Sequence, residues 1–252
     1  MENILNREEI RLIKKCGKIL SESLLEVKKA VKPGIITSRL DEIAYYEIKK
    51  RGAEPSFKDY EVKGAGCFPS TLCVSVNDEV VHGLPSERVI QEGDIVSLDI
   101  GAKYRGIYTD MAITVPVGEI SEVAQKLIET TKKCLNIGIS EAKVGNHIGD
   151  IGFAVQEYAE RNGFGVVRDL VGHGIGRDAH MMPHIPNFGE KGRGPAIEEG
   201  MALAIEPMLT EWEYDISIKS DGWTVATSDG SLAAHFEHTV VIMNGKPVIV
   251  TV

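Results

Sequence analysis

The sequence predicts an α/β protein made of two similar halves. Stretches whose apolar residues recur every three or four positions alternate with short runs of β-forming residues along the 252-residue chain. Acidic residues interrupt the predicted strands, beginning with Asp99 and Asp110. The same order of features, two helices, a His-Gly pair and two acids, occurs twice. We expect one domain over residues 1–252, with related halves at about 7–118 and 119–252.

Composition and charge argue against several classes of protein. A hydrophobic content of 43% is ordinary for a water-soluble globule, and no run of about 18 apolar residues occurs. The charged first residues do not resemble a secretory signal, so we expect a cytoplasmic protein with no membrane partner. The net charge of -9 argues against sequence-specific nucleic-acid binding.

Two helices are predicted at the start of the chain. Asn6 can cap the first, whose apolar face continues until the Pro-Gly pair at 33–34 stops the pattern. The second would begin at Thr37 or Ser38 and end at Gly52, where glycine accepts a left-handed backbone.

A hairpin that contains two acids follows the predicted helices. Residues 93–110 are expected to form two short strands joined by a turn at 102–106. That hairpin would bring Asp99 and Asp110 side by side. Two ionised carboxylates facing each other inside a sheet repel and lose hydration, so a cation is needed between them. The alternative is that both are exposed residues at strand ends.

The second half repeats the two helices. Ser121 can cap a helix that would close near Gly138, and another would close at Gly163. The segment 171–180 is rich in glycine, which allows close backbone approach around its histidine. A phosphate-binding loop is the competing interpretation, but no helix start and no lysine accompany the segment. Residues 181–199 are expected to form a long loop.

The repeat extends to the residues that can bind metal, which favours a cation over exposed turn residues. Acid corresponds to acid and histidine to histidine in the same order. The matched pairs are His82 with His173, Asp99 with Glu206, and Asp110 with Glu237.

Four acids and one histidine form an oxygen-rich ligand set: Asp99, Asp110, His173, Glu206 and Glu237. Two divalent ions roughly 3.5 to 4 Å apart, with a pair of bridging carboxylates, would use all five ligands and activate a water as nucleophile. The single imidazole and the lack of thiolates favour manganese, ferrous iron, cobalt or zinc over copper. The remaining histidines are interpreted as structural or exposed: His147, His184, His235 and His238. Strand alternation would nevertheless place His235 on the face of Glu237.

Six short motifs occur in a fixed order over nearly the whole chain. They are Val-Val-His82-Gly-Leu-Pro, Ser-Leu-Asp99-Ile-Gly, Tyr-Thr-Asp110-Met-Ala, Gly-His173-Gly-Ile-Gly-Arg, Ala-Ile-Glu206-Pro-Met and Phe-Glu237-His-Thr-Val. This run resembles the signature of the type I methionine aminopeptidases. The resemblance implies a pita-bread fold, in which two pseudo-symmetric halves with a curved antiparallel sheet, covered by helices, surround a dinuclear metal site. It also implies a catalytic peptidase domain that removes the initiator methionine before a small second residue.

The same resemblance assigns roles to the ligands. Asp99 would chelate one ion, His173 and Glu206 the other, and Asp110 with Glu237 would bridge them. Glu206 can also take a proton from the attacking water, which makes it the candidate general base and later acid.

Two histidines and an apolar slot are assigned to the substrate by resemblance. His180 would donate a hydrogen bond to the scissile carbonyl oxygen, and His82 would contact the amide nitrogen. The slot for the methionine side chain would be lined by Phe68, Cys73 and Trp223. Each of these three, taken alone, reads as an ordinary core residue.

Two segments depart from the family pattern. Residues 59–68 lack its glycine- and aromatic-rich sequence, and Met181 with Met182 replaces acidic residues. Both departures concern substrate preference more than metal binding.

Two alternatives share the fold. A proline-specific aminopeptidase or dipeptidase would use the same ligands but usually carries an extra N-terminal domain, which we do not expect here. A non-catalytic protein-binding member would have lost ligands, whereas all five are present. The expected partner is the N-terminus of a peptide or nascent chain, which leaves association with the ribosome open, and we expect a monomer.

Overall fold

The structure is a computed structural model that describes residues 4–62, 64 and 66–252. In these residues the helices are α1 (Arg7–Ala30), α2 (Thr37–Lys50), α3 (Glu122–Glu141) and α4 (Ile148–Arg161). The strands of the first half of the chain are β1 (Glu54–Pro55), β2 (Glu61–Val62), β3 (Gly66–Cys67), β4 (Leu72–Val76), β5 (Glu79–Val81), β6 (Ile95–Tyr104) and β7 (Ile107–Pro116). The later strands are β8 (Gly165–Val166), β9 (Val171–Gly174), β10 (Met181–Pro186), β11 (Ala202–Ile205), β12 (Met208–Thr210), β13 (Ile216–Ile218), β14 (Val225–Thr227), β15 (Ala233–His235), β16 (Glu237–Met243) and β17 (Lys246–Ile249).

A nine-stranded antiparallel sheet forms the centre of the fold. Its main path runs β1-β6-β7-β16-β11-β9-β10, with β4 paired to β6 and β17 paired to β16. Smaller sheets join β15-β12-β8, β13-β14-β5 and β2-β3. The main sheet therefore places strands from both halves of the sequence side by side, at the β7–β16 pair.

The helices begin where the sequence predicts. Asn6 caps α1, accepting hydrogen bonds from the backbone N–H groups of Glu8 and Glu9, and the Glu9 side chain accepts from the Asn6 N–H in return. Ser121 likewise caps α3 through the N–H of Ala124. Gly52 has a φ of 78°, the left-handed conformation expected after α2.

Helix α3 does not close near Gly138 but continues to Glu141. A Cβ atom at Gly138 would lie 3.0 Å from a methyl carbon of Val155 on α4. The glycine therefore lets two helices approach closely instead of ending one of them, a use that the sequence pattern does not distinguish from a helix stop.

The acid-bearing hairpin is longer and its turn tighter than predicted. Strands β6 and β7 are each ten residues long. They are joined at Arg105 and Gly106, with φ of 51° and 86°, instead of through a turn at 102–106. Two positive-φ residues are typical of the two-residue turns that match strand twist. The register brings Asp99 opposite Ala112, so Asp99 and Asp110 are offset by two positions on one face instead of lying directly opposite.

The prediction of a long loop at 181–199 is wrong for its first residues. Met181 to Pro186 form the edge strand β10, which pairs with β9 through contacts such as His184 with His173. Prolines are tolerated in an edge strand because one side of it needs no ladder hydrogen bonds.

Alternation along β6 separates the packed core from the polar residues. Leu98 and Ile100 belong to the apolar cluster that α1 and α2 form against β4, β6 and β7. A second cluster packs α3 and α4 against β11 and β16. Asp99 lies on the opposite face of β6 from Leu98 and Ile100, away from the helices. No described helix is both long enough and apolar enough to cross a membrane.

Candidate active site

Three acids lie on one face of three adjacent strands. Ala112 on β7 is paired with Asp99 of β6 on one side and with Glu237 of β16 on the other. Asp110 precedes Ala112 by two positions and so shares its face. All three carboxylates are buried, between 3% and 8% exposed. The sheet register therefore brings together acids from both halves of the chain.

Two further predicted ligands join this face from neighbouring strands. His173 on β9 is paired with Ala204 of β11, and Glu206 follows two residues after Ala204. The Nε2 atom of His173 lies 3.4 Å from Oε1 of Glu206. The other ring nitrogen, Nδ1, lies 3.0 Å from the carbonyl oxygen of Gly174. That contact orients the ring and leaves Nε2 directed at the acids.

Side-chain hydroxyls hold the backbone of the acid-bearing strands. Thr239 of β16 accepts a hydrogen bond from the Asp110 N–H at 2.9 Å and donates one to the Asp110 carbonyl at 2.8 Å. These contacts join β16 to β7 beyond their short paired segment, which fixes Asp110 relative to Glu237.

The acid cluster lacks the hydrogen bonds that buried carboxylates normally make. Ligand atoms of Asp110, His173 and Glu237 all lie within 4.8 Å of one another. Each of the three acids Asp99, Asp110 and Glu237 has one buried carboxylate oxygen without a hydrogen-bond partner. Unpaired buried carboxylate oxygens are costly in protein interiors, and each of these deserves a specific explanation.

Burial shifts the pKa of every group in the cluster toward its neutral form. Burial raises the pKa of Asp99 to about 7. Burial, then repulsion from Asp99, raises the pKa values of Asp110 and Glu206 well above the usual range. The pKa of Glu237 is also raised well above its usual range, first by burial and then by repulsion from Asp110. Burial lowers the pKa of His173 to about 3, so this imidazole is neutral.

The residues present fit a divalent metal. Carboxylates with unpaired oxygens and a neutral imidazole are the donors that such ions bind. A cation would remove the repulsion among the acids and supply the missing partners of their oxygens. The cluster therefore has the composition of a metal centre.

All ten residues predicted for the site line one cavity of about 580 Å³. Asp99, Asp110, His173 and Glu237 are buried and Glu206 is partly buried, whereas His82 and His180 are exposed. The ring of His180 lies 4.5 Å from that of His173, between centroids. Desolvation by the surrounding protein lowers the pKa of His82 to about 4 and also lowers the pKa of His180. Both shifts favour the neutral imidazole.

The apolar wall of the cavity contains the three residues predicted for the slot. Phe68 packs edge-on against Trp223, with ring centroids 5.2 Å apart. Cys73 is paired with Asp99 across β4 and β6, so the slot begins directly beside the acids. Burial raises the pKa of the Cys73 thiol well above its usual range, which keeps it an apolar, protonated group.

The sequence did not identify three residues that the structure adds to the site. Phe57 and Tyr60 line the same cavity, and the Tyr60 ring lies 5.2 Å from that of His180. Tyr60 belongs to the segment 59–68, which carries an aromatic residue at the site even though its sequence differs from the family pattern. His235 was assigned to the structural group, but its Nε2 lies 3.8 Å from Oε2 of Glu206. The sequence signal for His235 was the strand alternation that places it on the same face as Glu237.

The second departure from the family pattern also borders the site. Met181 and Met182 line an adjoining cavity of about 400 Å³. That cavity shares His82, His173 and His180 with the larger one, so the methionines lie beside the predicted substrate contacts.

Comparison with known proteins gives the chain close relatives over nearly its full length. It is 49% identical to a methionine aminopeptidase of Clostridium acetobutylicum, over 98% of this chain and 98% of the relative. The crystal structure of a methionine aminopeptidase from Thermotoga maritima superposes with a TM-score of 0.95 at 44% identity, covering 98% of each chain. A prolidase from Pyrococcus furiosus shares the fold at a TM-score of 0.79 and 22% identity, covering 99% of this chain and 65% of that one. The pita-bread fold expected from the motifs is thereby confirmed.

The family assignment extends over most of the chain. The model of metallopeptidase family M24 matches residues 11–244, a range that contains every predicted ligand. The buried acid cluster is suited to divalent metal, in keeping with this match. The match and the close relatives together show that the chain belongs to metallopeptidase family M24.

Proposed function

We propose that this chain removes N-terminal methionine from peptides and proteins by metal-dependent hydrolysis. The relatives that match it over nearly their whole length are methionine aminopeptidases. The observation that carries the proposal is that the acid cluster and the apolar slot lie side by side in one cavity. Such a cavity can hold an apolar N-terminal side chain while the following peptide bond reaches the acids.

Divalent metal, when bound, supplies an activated water and polarises the scissile carbonyl. We assign five residues to two ions. Asp99 would hold the first, His173 and Glu206 the second, and Asp110 and Glu237 would bridge both. The donor set suits manganese, ferrous iron, cobalt or zinc.

Glu206 is proposed as the general base. A carboxylate oxygen of Glu206 would accept a proton from the attacking water as that water adds to the carbonyl carbon. The same carboxyl would then donate the proton to the nitrogen of the leaving amine.

His180 and His82 are proposed to contact the reacting amide. A neutral imidazole at His180 has an N–H that can donate to the carbonyl oxygen as negative charge develops there. His82, which lines the same cavity, would contact the amide nitrogen of the scissile bond. Both neutral rings avoid placing a positive charge beside the metal ions.

Phe68, Cys73 and Trp223 are proposed to select methionine. An unbranched thioether fits between an aromatic pair and a thiol, where sulfur–aromatic contacts are favourable. A small second residue would be preferred, as the resemblance to the methionine aminopeptidases implies. The substrate would be a peptide or nascent chain processed by a monomeric, single catalytic domain in the cytoplasm.

Peptide cleavage tests the proposal. Metal-free protein supplied with manganese, ferrous iron or cobalt is expected to cleave Met-Ala-Ser, but not Leu-Ala-Ser or Met-Lys-Ser. Equal turnover of a Met-Pro dipeptide and a Met-Pro tripeptide, without preference for methionine, would instead favour a proline-specific enzyme. No cleavage of any peptide at any metal concentration would contradict both.

A further inference from the structure

His235 is a buried polar residue that the proposed reaction does not use. Its side chain is 1% exposed, and neither ring nitrogen has a hydrogen-bond partner. A buried imidazole without partners loses the hydration of its polar atoms and gains nothing in return, so such a residue calls for a specific role.

The backbone of His235 is held on both sides. Its N–H donates to the Thr114 hydroxyl at 2.9 Å, and that hydroxyl donates to the His235 carbonyl at 2.8 Å. Ser97 lies 2.8 Å from the same Thr114 hydroxyl. On the other side His235 pairs with Met208 across β15 and β12. The direction of the His235 side chain is therefore set by the neighbouring strands β6, β7 and β12.

That direction brings the His235 ring to Glu206. Nε2 of His235 lies 3.8 Å from Oε2 of Glu206, while Nε2 of His173 lies 3.4 Å from Oε1 of the same carboxyl. The two oxygens of Glu206 thus face two different imidazoles. The approach of His173 is explained by its place among the ligands, whereas that of His235 is not.

We propose that His235 is a positioning residue, which donates a hydrogen bond from Nε2 to Oε2 of Glu206 and fixes the plane of that carboxylate. The separation of 3.8 Å is longer than a direct hydrogen bond, so the proposed bond requires the two side chains to come closer together than they lie here. The donated bond holds Oε2 and leaves Oε1 on the side of His173. It also gives the buried His235 ring a partner.

This inference rests on the proposed function, in which Glu206 is both ligand and base. Partners of a metal-binding carboxylate commonly change metal affinity when they are removed. His235 should therefore affect metal affinity and turnover without touching substrate or metal. A residue that only filled space would affect stability alone.

Two substitutions separate hydrogen bonding from packing. His235→Gln keeps an N–H donor at similar reach, whereas His235→Leu has a similar volume and no donor. We expect H235L to weaken manganese binding by about 10- to 100-fold, measured by calorimetric titration of metal-free protein, and H235Q to stay near wild type. With saturating manganese, H235L should lower kcat for Met-Ala-Ser with little change in KM. Should H235L fail to fold, His235→Met, flexible and also without a donor, takes its place.

Two controls define the other outcomes. His238→Gln alters an imidazole three residues along the same segment, whose Nδ1 contacts the Thr251 hydroxyl instead of Glu206, and it should leave manganese affinity unchanged. Asp110→Asn should abolish binding if the metal assignment is right. Wild-type manganese affinity in H235L, or an equal loss in H235L and H235Q, would overturn the role of His235 while leaving the proposed function intact. Wild-type affinity in Asp110→Asn would overturn the metal assignment itself.

Discussion

Nε2 of His173 lies 3.4 Å from Oε1 of Glu206, although His173 belongs to β9 and Glu206 follows the end of β11. The pairing of His173 with Ala204 produces this proximity, because Glu206 follows Ala204 by two positions. Elsewhere along the same sheet, Ala112 is paired with both Asp99 and Glu237, which places these two acids on one face. The register of the strands therefore brings the candidate ligands together.

Replacing Asp110 by Asn should abolish metal binding while keeping the fold. The amide has the same shape, carries no charge and removes one source of repulsion with Asp99 and Glu206. We expect manganese affinity to fall at least about 100-fold, more than for a residue that acts only through a ligand. Metal analysis and melting temperature measured with and without chelator check this. A metal-free melting temperature well below that of wild type would show that the variant had lost its fold.

The stability of the metal-free protein should decrease as pH rises toward and through about 7. Burial raises the folded pKa of Asp99 to about 7, above the value of about 3.9 in an unfolded chain. The folded state then holds a proton that the unfolded state has released, so stability falls as pH rises through about 7. Burial also raises the pKa values of Asp110, Glu206 and Glu237, so these carboxyls add to the same loss of stability with rising pH. The buried histidines oppose the trend only below about pH 6.5, where the unfolded imidazoles become charged.

Thermal melts between about pH 6.5 and 7.5, on both sides of the folded pKa of Asp99, test this prediction. With chelator present, the melting temperature should fall across that range. With saturating manganese the fall should be absent, because metal binds the deprotonated acids. A melting temperature of the metal-free protein that stays flat or rises would mean that the acids are not protonated in the folded state.

His180 should affect turnover but not metal content. Loss of a donor to a developing negative charge costs about 10²- to 10³-fold in kcat. We therefore expect His180→Ala to lower kcat for Met-Ala-Ser by about that factor while bound manganese per chain is unchanged. His147→Ala, at the start of α4 and half exposed, is the matched control and should change neither quantity. A fall in bound metal in the His180 variant would make it a ligand instead.

Gly17 should be required for the packing of α1. A Cβ atom there would lie 2.1 Å from the carbonyl oxygen of Val250, so backbone would have to move. We expect Gly17→Ala to lower the free energy of unfolding by about 1 to 3 kcal/mol despite the better helix propensity of alanine. Lys18→Ala, next in the helix and 66% exposed, should leave it nearly unchanged. Denaturant unfolding of both variants compares them, and equal stabilities would contradict the close contact.

The candidate metal ligands could be identified from the sequence because acids are unusual within strands. Asp99 and Asp110 interrupt β-forming runs, and the internal repeat connects them to Glu206 and Glu237. Where the structure differs from the sequence prediction, the sequence pattern fits more than one structure. Gly138 predicts the end of a helix, but in the structure it lies within α3 and permits the close contact with Val155.

The rest of the site depended on contacts that sequence patterns do not specify. Phe57 and Tyr60 lie among very short strands, where neither helical nor strand periodicity marks a direction. Strand β10 contains prolines and was predicted as loop, since an edge strand and a loop tolerate the same residues. His235 shares the face of Glu237 by alternation, but its approach to Oε2 of Glu206 requires the pairing of β15 with β12.

Metal stoichiometry measured against activity tests the central claim most directly. Manganese would be added in steps to metal-free protein, with bound metal per chain and Met-Ala-Ser cleavage measured at each step, and Asp110→Asn as control. Activity that rises with bound manganese toward two ions per wild-type chain, with none bound by the variant, is the predicted result. Methionine release from protein that binds no metal, or equal binding by the variant, would contradict the account.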